Sequence, residues 1–519
     1  MSRHRKGIIS GLLTTVSFLT IITVISKLLG LLREVGIASS FDNITTDALY
    51  VALIIPALLF TSIGVALQNL FMIEFTAVKN ESIDKENENR LSSNLANILL
   101  VFAVIIFIIS FIFTPVIIKL IAPGFVNKEK FDLTVKLTRI LLPTIVILPL
   151  YQIRSSMLRV YNRFVTVAFI DLGFNIFQIV YLFLFADRFG IVGLTYSILF
   201  AYVFQLLLIE FISFRMGFRI KAILNFNDKH IKIIFRLFVP TLISFLVIQL
   251  NTSIDKVIAS SLGDGAISAL NYGFMIRTVI YSVSISVILL IVYPVLLRHK
   301  NNNDMDNFNK VGTTTFKMLI LLTLPFTLIL MGFNKSIVRV IFERGEFTSS
   351  ATLVTSKVLF FYAIGITFYA IKEFLVLVSY SYKNTKLPLF ITIISAVLSV
   401  CFSLVLKIWF GVYGIALGLA LSEFISAVIL IIYIIKYNYL DLRKAIKDLF
   451  IVLLVNIIIG VILFIIKGYL YIPIKKIFEF LIVGAYGVVL LVVYLIVLRL
   501  LKVNVIQDFL VFVRGDVDV

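Results

Sequence analysis

The segment Ser26-Lys27-Leu28-Leu29-Gly30-Leu31-Leu32-Arg33-Glu34 sets two cations and a carboxylate inside an otherwise apolar stretch. An ionisable group within a membrane helix costs roughly 2.5–3.5 kcal/mol on insertion scales, so such groups face a cavity or a partner. Six residues separate Lys27 from Arg33, about 600° of helical rotation and so about 120° from eclipsed, and both can line one broad wall. Arg33 could equally snorkel to the interface. Arg277 follows Asn271-Tyr272 in a largely apolar run with no adjacent acid to neutralise it, and a cavity position is expected for it. Asp47 opens another apolar run after Thr45-Thr46, where a helix cap or first-turn carboxylate is the ordinary reading. Gln68, Asn69, Glu74, Asp171, Glu210, Lys372, Glu373 and Glu423 are candidates for buried networks. Lys27, Arg33 and Arg277 together would suit an anionic ligand such as a pyrophosphate.

Other chemistries lack their residues. His4, His230 and His299 are scattered, and the single cysteine, Cys401, lies in an apolar run, so neither a metal site nor a disulfide framework nor a cofactor is expected. The chain has no Walker motif to use ATP and no ring of like residues to form a channel. It also shows no nucleophile with its base and no compact acidic metal motif, so an enzyme is not expected.

Helices in a bilayer must position these groups. Of 519 residues, 61% are hydrophobic and only 14% charged, with a mean hydropathy of +1.09, well above the apolar share of about 45–50% in soluble domains. Apolar cores begin near Ile8, Ala48, Leu95, Leu133, Val165, Ile191, Phe238, Ala266, Phe316, Val354, Leu387, Val412, Leu449 and Phe478. This is an all-α polytopic membrane protein of about 14 transmembrane helices, since each run of about 20 residues spans the hydrocarbon. The run from Gly7 to Ser26 follows a basic N-terminus but is too long for a signal peptide, and is read as a retained first helix. A net charge of +19 is explained by its distribution. The N-terminal tail, even-numbered loops and C-terminus hold about 28 Lys and Arg against about 12 in the odd-numbered loops, which places both termini in the cytoplasm and leaves no reason to expect nucleic acid. The richest loop runs from Arg215 to Arg236.

The chain also repeats. Ile37-Ala38-Ser39-Ser40-Phe41 recurs 221 positions later as Ile258-Ala259-Ser260-Ser261-Leu262, and Ala48-Leu49 as Ala269-Leu270. Phe189-Gly190-Ile191-Val192-Gly193-Leu194 aligns with Phe410-Gly411-Val412-Tyr413-Gly414-Ile415 in the same register, as do Tyr161 with Tyr382 and Gly124 with Gly345. Six helices per copy preserve orientation, so two pseudo-twofold six-helix lobes are expected, with the cargo site and alternating access in the cleft between them. The expected divisions are an N-lobe at 1–222, a C-lobe at 223–440, and two further C-terminal helices with a cytoplasmic tail at 441–519.

Several of these segments are familiar. Ser26 to Glu34, Thr46-Asp47-Ala48-Leu49 and Ile55-Pro56-Ala57-Leu58-Leu59 resemble the N-terminal signature of the MurJ (MviN) lipid II flippases. Ala122-Pro123-Gly124-Phe125, Tyr161-Asn162-Arg163-Phe164 and Phe342-Glu343-Arg344-Gly345-Glu346-Phe347-Thr348 follow in the family's order. The resemblance implies a multidrug/oligosaccharidyl-lipid/polysaccharide-type exporter fold around a cationic cavity, with two final helices forming a groove for the polyprenyl tail. By position it implies that Lys27 and Arg33 are basic cavity residues, Glu34 their adjacent acid and Asp47 the acid opening helix two; with Arg277, read from its own isolated charge, these are the expected substrate-binding residues. The chain departs from the family at Phe60-Thr61, where an arginine pair is usual, and at Gly64-Val65-Ala66, which replaces a small-acid-Gly segment. Tyr272-Gly273-Phe274-Met275 stands for Tyr-Ala-Asp-Arg, with Arg277 two residues onward. The implied function is a monomeric flippase in the bacterial cytoplasmic membrane, in contact with membrane lipids. It would move a lipid-linked oligosaccharide precursor, undecaprenyl-pyrophosphate-linked lipid II, to the outer leaflet. Another polyprenyl-linked glycan is the alternative cargo, and a membrane enzyme acting on such lipids a more distant one.

Overall fold

Apolar runs with no water to satisfy their backbone close every N–H and C=O within the segment, and helices follow. The computed structural model describes residues 2–58, 62–81, 85–466 and 475–500, and every regular element among them is helical. Phe60-Thr61 and the C-terminal tail lie outside the described residues.

The chain divides into two compact units, Met1–Ser268 and Ala269–Val519. The first holds α1 (Ser2–Ser40), α2 (Asn43–Ala52), α3 (Ile54–Pro56), α4 (Ser62–Glu81), α5 (Lys85–Ile121), α6 (Lys128–Leu141), α7 (Thr144–Val160), α8 (Phe164–Leu184), α9 (Ala186–Arg215) and α10 (Lys229–Ala259). The second holds α11 (Ala266–Ser284, beginning just before the division), α12 (Ser286–Asn301), α13 (Met305–Gly332), α14 (Asn334–Phe342), α15 (Ser349–Ser381), α16 (Lys386–Phe410), α17 (Val412–Lys436), α18 (Arg443–Ile466) and α19 (Lys476–Leu500). Among the described residues nine helical stretches are long and apolar enough to cross a membrane, or ten if the bent pair from Ala266 to Asn301 is one span. The division at Ser268 differs from the repeat boundary expected at 222 because α10 packs on α4. A helix can descend from one copy of a repeat and pack with the other.

In the first unit α1 lies on α8, α4 on α7, and α8 on α9. One core gathers Phe71, Phe75, Met157, Ile209 and Phe218, and a second gathers Ile37, Leu49, Leu137, Leu141 and Leu194. In the second unit α15, α16 and α17 form the tightest group, with α18 on α13 and α19 on α14. Apolar contact gains little in lipid, so helices associate where small residues let backbones approach. Gly414 and Gly418 of α17 do this: a Cβ at Gly418 would stand 2.7 Å from the Ser403 amide nitrogen of α16, and one at Gly414 would collide with the Leu406 carbonyl. The lipid-facing surfaces show in α5 and α16, where Ile112, Leu120, Ile408 and Trp409 are exposed.

The backbone repeats as the sequence does. Left-handed residues occur at Asn162 (φ 58°) and Lys383 (φ 57°), at Gly190 (φ 59°) and Gly411 (φ 57°), and at Gly217 (φ 91°) and Asn438 (φ 52°). Each pair keeps the 221-residue offset. Side chains repeat too. The Lys79 ammonium lies 3.8 Å from the centre of the Tyr161 ring, and Lys300 lies 3.6 Å from that of Tyr382. Tyr161 meets Phe218 edge-on with ring centres 5.6 Å apart, and Tyr382 stacks on Tyr439 at 4.0 Å. These clasps, again 221 apart, join the corresponding ends of three elements within each unit.

Candidate functional site

The charges of α1 converge inside the first unit. Arg33 Nη2 donates to Glu34 Oε1 at 2.6 Å, and the Tyr50 hydroxyl of α2 donates to Glu34 Oε2 at 2.5 Å. Both carboxylate oxygens are thereby engaged. Arg33 Nη1 reaches Asn175 Oδ1 of α8 at a long 3.3 Å, and its guanidinium lies 5.8 Å from the Phe174 ring centre. Arg33 Nε is buried with no hydrogen-bond partner among the described residues. Lys256 of α10 lies 5.4 Å from the Tyr50 ring centre and interacts electrostatically with Glu34 and Arg33. A cavity of about 210 Å³ opens against this network, lined by Arg33, Glu34 and Tyr50 with Thr144, Gln178, Tyr202 and apolar side chains. It is smaller than the roughly 300–1,000 Å³ of sites that enclose a whole drug-sized ligand.

The other expected site residues are placed differently. Lys27 is half-buried on α1 and does not join the Arg33 network. Asp47 does not cap its helix. Asp42 does, accepting from the Thr45 amide at 2.8 Å. Asp47 is fully buried and forms a crosslink: its Oδ2 accepts from Lys130 Nζ at 3.0 Å and from the Gly265 amide at 2.8 Å. Its Oδ1 accepts from the Ser268 amide at 2.8 Å and the Ser268 hydroxyl at 2.5 Å. Lys130 also donates to Asp264 Oδ1 at 2.7 Å and lies over the Phe125 ring. The segment before α11 is thus tied to α2 and α6.

In the second unit the acid that Arg277 lacks among its sequence neighbours comes from a distant helix. Arg277 Nη2 donates to Glu423 Oε1 of α17 at 2.5 Å, and both side chains are buried. The partner stands 146 positions away, beyond the reach of a local reading. Gly365 leaves the room for this pair, since a Cβ there would collide with the Glu423 carboxylate. The rings of Phe274, Tyr362 and Tyr369 surround the guanidinium. Arg277 Nη1 and Glu423 Oε2 have no partner among the described residues.

Of the candidates for buried networks, Glu74 meets His230 at 2.8 Å, Asp171 accepts from Tyr151 at 2.5 Å and Glu210 accepts from Arg154 at 2.7 Å. The reading from the residues alone missed Tyr50, Asn175, Lys130 and Lys256. Lys130 and Lys256 carried the same signal as Lys27, a cation next to an apolar run.

Comparison with known proteins follows the same lines. The family described as lipid II flippase MurJ matches residues 37–495. A probable lipid II flippase MurJ of Rickettsia prowazekii is 28% identical over 457 residues, covering 86% of this chain and 87% of its own. One of Thermotoga maritima is 26% identical over 494 residues, covering 94% and 96%. A solved structure of lipid II flippase MurJ in an inward closed conformation superposes with a TM-score of 0.79 at 26% identity, covering 93% of this chain and 99% of that one. An inward-facing multidrug transporter of the MATE family shares the fold at a TM-score of 0.69 and 14% identity, over 79% of this chain and 93% of its own.

Proposed function

Since the chain belongs to the lipid II flippase MurJ family, we propose that it carries lipid II from the cytoplasmic to the outer leaflet of the bacterial cytoplasmic membrane. It is a multi-pass transporter that serves peptidoglycan synthesis, and not an enzyme. In this reading both termini are cytoplasmic, as the Lys and Arg bias requires. The chain acts as a monomer, and α1, α2 to α4, α10 and α18 complete fourteen spans. The lobes of the repeat, 1–222 and 223–440, alternate in access, and the last two helices, within 441–519, hold the polyprenyl tail.

The observation that carries the site is the Arg33–Glu34–Tyr50 network on the wall of the first unit's cavity. Arg33 is the group poised to bind a diphosphate. Its bond to Asn175 is long and its Nε has no partner among the described residues, so an arriving phosphate oxygen replaces a long bond to a neutral acceptor with one to an anion. Glu34, held by Tyr50, keeps the guanidinium oriented while the site is empty and prevents the cation from standing alone in a low dielectric. Lys256 and Lys27 add positive charge for a ligand with at least two negative charges. Arg277, in the second unit, is a separate proposed cargo contact, through an Nη1 that has no partner among the described residues. Asp47, with both oxygens engaged, acts through the network that holds the segment before α11.

The test is depletion of the protein followed by analysis of the lipid-linked intermediates of the inner leaflet. Accumulated lipid II is expected, and accumulation of a different polyprenyl-linked glycan would replace the cargo assignment. In the same strain Arg33→Gln combined with Glu34→Gln, which leaves neither charge of the pair alone, should reach normal membrane abundance yet lose about 1.5–3 kcal/mol of cargo binding, one charge-assisted contact. Full growth on that variant would remove Arg33 from the site.

A further inference from the structure

The connection between α9 and α10, residues 217–228, is a strap without regular structure whose backbone is fastened to α5. Asn89, Ser93 and Asn97 stand four residues apart on one face of α5, with Asn94 beside them. Asn89 Oδ1 accepts from the Arg219 amide at 3.0 Å. Ser93 accepts from the Lys221 amide at 3.1 Å and donates to the Arg219 carbonyl at 3.2 Å. Asn97 Nδ2 donates to the carbonyls of Lys221 and Ile223 at 2.7 and 2.8 Å. Asn94 exchanges both bonds with the Asn225 backbone, at 2.8 and 2.7 Å. The strap is therefore fixed before it meets anything else.

This fastening leaves apolar side chains outward. Ile220, Leu224 and Phe226 are 65%, 54% and 49% exposed, although the strap belongs to no membrane span. Exposed apolar side chains clustered within seven residues of one connection mark a candidate interaction surface. Arg215 and Arg219 flank it, both exposed, with their guanidinium groups over the rings of Phe211 and Phe214. Lys221 is paired with Glu86 and Asp228 caps α10, which leaves Arg215 and Arg219 as the charges beside the apolar side chains. Apolar anchors interleaved with cations at the end of a membrane helix are the chemistry of the headgroup layer.

We propose that this strap is a preformed docking strip for anionic lipid headgroups, which Arg215 and Arg219 bind while Ile220, Leu224 and Phe226 enter the acyl boundary. The proposal depends neither on which face of the membrane the strap occupies nor on the cargo.

The test uses the full chain in nanodiscs, with Cys401→Ser to remove the native thiol and Ala222→Cys carrying an environment-sensitive fluorophore. Quenching by a headgroup-depth lipid quencher is compared between discs of phosphatidylcholine alone and discs containing phosphatidylglycerol. Quenching should rise with the anionic lipid and fall at high salt. Arg215→Gln with Arg219→Gln should lower the docked-to-undocked ratio roughly fivefold per charge, about 30-fold together. Both positions are exposed, so the variant folds, and a retained elution profile confirms it. A label equally wet in both lipids overturns the proposal. So does one equally buried in both and indifferent to the arginines, which would be apolar insertion alone. Protection seen only in discs holding two copies would assign the strip to self-contact and overturn it as well.

Discussion

Replacing Glu423 by Gln leaves the shape of its site almost unchanged but strands the Arg277 guanidinium in a pocket where both side chains are about 95% buried. Breaking a buried ion pair by removing one partner costs about 3–5 kcal/mol, because the remaining charge has lost its solvent and its counter-ion together. At about 1.36 kcal/mol per tenfold, that is two to four powers of ten in the ratio of folded to unfolded protein. Glu423→Gln and Arg277→Met should each deplete the protein from membranes, measured by immunoblot against a wild-type control. The double variant Arg277→Met with Glu423→Met removes both charges and should recover abundance, since apolar replacement of a whole pair is close to neutral. If Arg277 also serves cargo, the double variant will be abundant yet will not support growth of a depleted strain. Growth at the wild-type rate would refute the cargo role, and normal abundance of both single variants would refute the energetic reasoning.

Three other outcomes follow from the same kind of argument. Lys130→Met strands the buried Asp47 and should destabilise the first unit by about 3–5 kcal/mol, whereas Asp264→Asn, at a carboxylate 55% exposed, should cost within about 1 kcal/mol; thermal unfolding in detergent compares them. Gly418→Leu forces a side chain into the Ser403 backbone and should cost at least about 1–3 kcal/mol, read as lowered abundance that Gly418→Ala shows to a lesser degree. The Tyr382 phenol, just beyond α15, is pushed up to about 12 by burial and then by Tyr439. A raised folded value means that its stabilisation is complete below the ordinary value of 10.0 and is lost as pH rises through about 12; Tyr382→Phe should abolish that alkaline component of the unfolding profile.

The all-helical membrane fold was legible because every span needs its own apolar run, and the duplication because the two copies keep one register. Arg33 and Glu34 were legible as neighbours with a desolvation cost to explain. Partners distant in sequence were not. Glu423 is one of several acids in apolar runs, and nothing local assigns it to Arg277. Tyr50 looks like any aromatic on a buried helix until its hydroxyl is seen on Glu34. The ordinary reading of Asp47 as a cap fails because Asp42, five residues earlier, sits in a short polar turn that supplies the real one. Lys79 and Lys300 were within reach of the 221-residue offset, but two lysines near helix ends look like ordinary interfacial charges until each is found over its tyrosine.

The correspondence from Ile37–Ile258 through Phe218–Tyr439 is free of any net gain or loss of residues between the copies. One inserted residue would turn everything beyond it by about 100° and advance it 1.5 Å, swinging a cation such as Lys79 off its ring and a left-handed glycine off its bend. The spacing of helices and bends is therefore common to both copies, and constrains each of them, while the side chains hung on it differ.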